Sequence, residues 1–181
     1  MPAGIPVHTI VALVQDKPGV LNRVASMFRR RGFNIASLAV GQSEQPGFSR
    51  MTFVVQGDDH TIEQVRKQLD RLIDVVKVSD LSSENIVARE LAMIKVQATP
   101  YSRSEIIQLV DIFRANIVDV SPESLIIEVT GDEDKVDSLL QLLKPFGIRE
   151  VMRTGRVAML RGGTTFASSA NGSQGRGNGT Q

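Results

Sequence analysis

A β-α-β-β-α-β succession of strand and helix signals occurs twice in this sequence, and few folds satisfy it. Val7 to Val14 is a nearly unbroken apolar run, as expected of a strand buried on both faces. Pro18 and Gly19 break it. Val20, Leu21, Val24, Ala25 and Phe28 then recur at helical spacing, with Asn22, Arg23 and Arg30 on the other side. Arg29, Arg30 and Arg31 fall in the last turn, where cations complement the helix dipole, and Gly32 is the natural stop. Ile35 to Val40 predicts a second strand, "GQSEQPG" a loop, and Met51 to Gln56 a third strand. Asp58 or Asp59 is suited to cap a helix with the stripe Ile62, Val65, Leu69, Leu72 and Ile73, and Val75 to Val78 completes the set.

The succession restarts with Leu91 to Ala98, a helix over Ile106, Leu109, Val110 and Phe113, and a hairpin around "SPES". A second helix carries Val136, Leu139, Leu140 and Leu143 and ends at Pro145 and Gly147. Ile148 to Leu160 supplies one last strand or, because Gly155 interrupts it, two. The halves echo each other in detail. "VQDKP" at Val14 matches "VQATP" at Val96, Asn34-Ile35 matches Asn116-Ile117, and "GDD" at Gly57 matches "GDE" at Gly131. The order is the split βαβ, or ferredoxin-like, arrangement. The fold class is therefore α+β, with two ferredoxin-like βαββαβ domains. The expected boundaries are residues 5–80, a polar linker over 81–90, a second domain over 91–161, and a tail over 162–181. The tail is rich in Gly, Ser, Asn and Gln and is expected to be disordered.

Composition removes several functions. The 181 residues include no cysteine, which excludes disulfides, thiolate metal sites and cysteine nucleophiles. His8 and His60 are the only imidazoles and lie in unrelated contexts, so no metal site is expected. The formal net charge is +1, which gives no general pull toward nucleic acid or anionic lipid. "GFSRMTFVV" resembles a strand of the RNA-recognition motif, but that module stacks bases on sheet aromatics, and the first strand here has none. There is no P-loop, nucleophile elbow or zinc spacing. The chain shows neither a secretory leader nor a run of about 20 apolar residues, so a cytoplasmic location is expected.

The turn "QDKPGVL" at Gln15 to Leu21 is the strongest candidate for a site. Gly19 has no Cβ, so a ligand or a second backbone can approach closely. Pro18 fits the first helical turn, and the exposed N–H groups of that turn suit a carboxylate. Asp16 could accept from an ammonium group. Such a turn would hold the head group of a free amino acid, while the plain alternative is a capped strand-to-helix connection.

The longer stretch "VHTIVALVQDKPGVLNRVASMFRRRGFNIASLAVGQSEQPGFSRMTFVVQGDD" resembles an ACT domain. The "DKPGVL" turn, "RRRGFNI", "SRMTFVV", "KQLDRLIDVVKVSDL" and the "REL" and "IKV" segments that open the second half are similar to the regulatory subunit family of acetohydroxyacid (acetolactate) synthase, over roughly residues 5 to 161. The resemblance implies a non-catalytic chain. It would pair through ACT domains into a homodimer, bind and activate a catalytic subunit, and confer feedback inhibition by valine or another branched-chain amino acid. It implies no cofactor in this chain, with thiamine diphosphate, Mg and FAD expected in the catalytic partner. Asp16, Pro18, Gly19, Val20 and Leu21 would form one wall of the effector site, and Asn34 and Ile35 would come from the partner subunit. In the second half Tyr101 replaces the glycine that follows Pro100, so no equivalent site is expected there. A free-standing ACT-type sensor, acting for example on transcription, is the alternative, though no helix-turn-helix or basic patch accompanies it.

Overall fold

The computed structural model describes residues 6–163, 165 and 166. Its contacts divide the chain into two units. The first takes the described residues up to Ala36, Val40–Val87 and those from Ala158; the second takes Ser37–Ala39 and Ala88–Val157. No helix among the described residues is long and apolar enough to cross a membrane.

The first unit runs β1 (Val7–Gln15), α1 (Val20–Arg31), β2 (Asn34–Gln42), β3 (Phe48–Gln56), α2 (Asp59–Asp70) and β4 (Val75–Asp80). The strand order is β2-β3-β1-β4, with β1 antiparallel to both β3 and β4. Pairing of Ile10 with Phe53 and of Ala12 with Met51 puts these residues on one face, and all are buried. Phe28 of α1 stacks on Phe53 at 5.2 Å between centroids. Val24 and Met27 of α1 and Ile62, Val65 and Leu69 of α2 are also buried and form the inward helix faces, whereas Leu21 and Ala25 of the expected α1 stripe are exposed, and Ile73, expected to continue the α2 stripe, lies past the helix end at 88 % exposure. Asp58 caps α2, its carboxylate accepting from the Thr61 N–H at 2.8 Å.

The second unit is built from β5 (Ile86–Gln97), α3 (Arg103–Ile112), β6 (Asn116–Ser121), β7 (Ser124–Gly131), α4 (Glu133–Leu143), a 3-10 turn at Lys144–Phe146 and β8 (Ile148–Arg153). The order β6-β7-β5-β8 repeats that of the first sheet. Ile94, Val96, Ile106, Leu125, Ile127, Leu139 and Leu143 form its core and are buried to 1 % exposure or less. Asp132 caps α4 as Asp58 caps α2, accepting from the Lys135 N–H at 3.0 Å.

Two expected boundaries shift, and one open alternative is decided. Residues 81–90 are not simply a linker, because β5 begins at Ile86, where β-branched Ile86 and Val87 favour strand. The last strand is two: β8 ends at Arg153, and β9 (Val157–Leu160) pairs with β5, bonded on through the Arg161 N–H to Asn85 O at 2.9 Å. From Ala158 the chain packs with the first unit, and past Gly162 the expected tail begins with exposed Gly163 and Thr165 but includes Phe166, which is buried at 9 % exposure. The remainder of the expected tail lies outside the described residues.

Candidate functional site

The turn between β1 and α1 is tied at several points. The Asp16 N–H donates to Gly47 O at 2.8 Å, which fixes it to the β2–β3 connection, and the Gln15 N–H donates to Asp74 O at 2.8 Å. Gly19 is the N-cap of α1, with φ +88° in the left-handed region that glycine tolerates best. Pro18 therefore stands one residue before the cap and not inside the first turn. A Cβ built on Gly19 would meet nothing within 4 Å, so the space in front of it is open. Glycine offers no capping side chain, in contrast to Asp58 and Asp132 at α2 and α4. The start of α1 thus presents main-chain N–H groups and the positive end of the helix dipole to that space.

The expected residues separate into roles. Asp16, Pro18 and Gly19 are exposed around the turn, and Leu21 is 48 % exposed beside it. Val20 is buried at 3 % exposure, and its N–H bonds Lys17 O at 3.3 Å, so its side chain belongs to the core. Asn34 opens β2 and donates through Nδ2 to Gln56 Oε1 at 3.1 Å. Gln56 is at the far end of β3, opposite Val7, whereas the turn follows Gln15, which pairs with Phe48. The nine residues of β3 separate those ends by about 27 Å at the usual strand rise. One chain cannot bring Asn34 and Gly19 to the same small ligand. A two-fold copy pairing β2 against β2 could, because antiparallel edges place the Asn34 end of one strand at the Gln42 end of the other.

The matching turn of the second unit is closed on itself. The Thr99 N–H donates to Ser102 Oγ at 3.0 Å, and the Ser102 N–H donates to Thr99 Oγ1 at 3.2 Å. Arg103 donates to Ser121 O and Pro122 O at 2.9 and 3.0 Å. Tyr101 projects into solvent at 96 % exposure where the first unit has glycine. The Thr99 and Ser102 N–H groups are thus satisfied within the turn, although α3, like α1, has no side-chain cap.

Sequence reasoning missed Arg23, whose Nε lies 2.7 Å from Asp74 Oδ2 and holds the first turn of α1. Its place on the polar side of the helix was visible, but its partner, distant in sequence, was not. Among the described residues no cluster of three His, Asp or Glu side chains could hold a metal ion.

A tandem of two βαββαβ domains, the first with a glycine-capped turn open at its strand-to-helix end, defines an ACT-type regulatory chain. The family model "AHAS small subunit-like ACT domain" matches residues 10–77, and "Small subunit of acetolactate synthase" matches residues 89–162. A protein of Archaeoglobus fulgidus named "Probable acetolactate synthase small subunit" is 59% identical over 86% of this chain and 97% of its own length. The "Acetolactate synthase small subunit" of Mycobacterium bovis is 56% identical over 86% of this chain and 92% of its own. The crystal structure of the acetolactate synthase small subunit from Thermotoga maritima superposes with a TM-score of 0.82 at 49% identity, covering 88% of this chain and all of that one. The chain belongs to the family of acetolactate synthase small subunits.

Proposed function

We propose that this chain is the non-catalytic regulatory subunit of a thiamine-diphosphate-dependent acetohydroxyacid synthase. It binds the catalytic subunit, raises its activity, and transmits feedback inhibition by valine or another branched-chain amino acid. The observation that carries the effector half of this reading is the Gly19 cap, with open space before it and main-chain donors around it. The effector carboxylate accepts from the first-turn N–H groups of α1, and Asp16 faces its ammonium group. Its branched side chain rests on Leu21 and on Ile35 of a second copy, whose Asn34 amide closes the site.

The ends of the sheet support a homodimer. β2 terminates the strand order, and a second β2 laid antiparallel to it extends one sheet across two chains. Thiamine diphosphate, Mg and FAD are assigned to the catalytic partner, and the site of action is the cytoplasm. The test is reconstitution. Adding this chain to the purified catalytic subunit should raise acetohydroxyacid formation, and valine should then lower it. No stimulation with any catalytic subunit of the same source would overturn the regulatory assignment. Valine inhibition equal with and without the chain would overturn the effector assignment.

A further inference from the structure

The face of the first sheet turned away from α1 and α2 carries Val11, Leu13, Arg50, Thr52 and Lys77, as the register pairs Val11 with Thr52 and Leu13 with both Arg50 and Lys77. A cavity of about 360 Å³ lies against it, lined by Val11, Arg50, Glu44, Leu81, Met159 and Leu160 among others. Its outer wall is β9 and the chain that follows. Phe166 closes one side, its ring 5.4 Å from the Arg50 guanidinium carbon and 4.7 Å from Lys77 Nζ. The walls are mostly aliphatic, and the cavity has Arg50 at its edge.

Arg50 is only partly occupied by protein. Its Nη2 donates to both Glu44 oxygens, at 3.1 and 3.0 Å. Its Nε is buried and has no hydrogen-bond partner among the described residues. A buried unpaired donor is uncommon in folded proteins, and an acceptor held there, such as a water or an anion, is one way to satisfy it. The volume is at the small end of ligand sites, too small for a peptide.

The geometry points to a second small-molecule site, in which a short aliphatic monocarboxylate binds with its chain between Val11, Leu81 and Leu160 and its carboxylate on Arg50 Nε. This site is on the opposite face of the sheet from the helices, and it does not depend on the function proposed above. Ligand there would bridge the sheet to β9 and so brace the end of the chain against the ACT domain.

The experiment titrates the full, isotopically labelled chain with hexanoate and follows backbone amide shifts. Hexan-1-ol and hexylammonium serve as matched probes without a carboxylate. Saturable shifts are expected at Val11, Leu81 and Leu160, both in the wild type and in Gly19→Asp, which blocks the turn on the other side. Arg50→Met should weaken binding by about tenfold or more, the scale of one charge-assisted hydrogen bond. Both matched probes should weaken by a similar factor. Ala158→Leu, which fills the cavity and leaves Arg50 in place, should abolish the shifts, with a thermal melt confirming that each variant folds. Shifts that fail to saturate, equal affinity for hexanoate and hexan-1-ol, or no loss in Arg50→Met would overturn the site. So would a hexanoate-soaked crystal in which Arg50 Nε meets only ordered water.

Discussion

Arg23 Nε lies 2.7 Å from Asp74 Oδ2, and this pair joins the first turn of α1 to the start of β4. The Asp74 side chain is 9 % exposed while that of Arg23 is 53 % exposed, so the carboxylate is the member that loses most when its partner goes. Arg23→Leu should destabilise the chain by about 1–3 kcal/mol, less than the loss of a fully buried pair because Arg23 is half solvated. Asp74→Asn should cost less, since it leaves no buried charge behind. Urea unfolding of both single variants and the double variant gives the coupling between them. A coupling near zero would mean that the pair contributes nothing to the placement of the turn.

Gly19→Asp should abolish valine inhibition while the chain still stimulates the catalytic subunit. The left-handed φ of +88° makes any L-residue there strained by about 1–2 kcal/mol, but the new side chain enters open space. The carboxylate would then stand where the effector carboxylate binds, and like charges at contact distance repel. Asn34→Ala should weaken valine binding by about 0.5–1.5 kcal/mol, the value of one hydrogen bond. A reconstituted assay titrated with valine, beside calorimetry on the chain alone, reads both. Full inhibition in Gly19→Asp would remove the turn from the site, and loss of stimulation together with inhibition would contradict their separation.

Phe166→Ala should lower stability by about 3 kcal/mol, since the ring is buried at 9 % exposure. Its two cation contacts add about 0.5–1 kcal/mol each, so Phe166→Leu should recover only part of the loss. Urea denaturation distinguishes the three chains. Identical midpoints would show that the ring rests on the sheet without stabilising it.

The Glu63 carboxyl should titrate far below its ordinary range. Hydrogen bonds from Arg66 and Lys67 hold it at about 2, against an ordinary 4.5. A pKa depressed by folding means a contribution to stability that is fully present above 4.5 and is lost as pH falls toward 2. Carbon-13 shifts of the Glu63 carboxyl between pH 1.5 and 5 are the measurement. Replacing Arg66 with Met should bring the midpoint back up, because the Arg66 hydrogen bond is the largest cause of the shift. A midpoint unaffected by that replacement would assign the depression to something else.

Much of the fold was legible because it is written in local periodicity. The apolar run from Ile10 to Val14, the stripe Ile62-Val65-Leu69 and the caps at Asp58 and Asp132 each state their element within a few residues. The site was legible to the extent that it is a turn. Gly19 signals a positive φ by its chemistry, although Pro18 suggested a helix starting two residues earlier than it does. What the sequence hid are relationships between distant residues. Nothing near Asp74 names Arg23 as its partner. Nothing in "RGGTTF" says that Phe166 will lie against Arg50 and Lys77, since glycine and threonine around it read as loop. Ile86 and Val87 were likewise obscured by the polar residues on both sides of them.

The return of the chain to its first unit also sets an order on synthesis. β1 to β4 can pair as soon as they leave the ribosome, because their partners are all made by Asp80. The covering of their outer face waits for Ala158 to Phe166, which emerge after an entire second domain. During that interval Val11 and its neighbours face water, or whatever the cell offers to shield them. A nascent chain stalled before Ala158 would therefore carry a paired but half-dressed sheet. Its first unit would be complete only after the second domain has emerged, so in this protein the earliest domain to begin folding is not the earliest to finish.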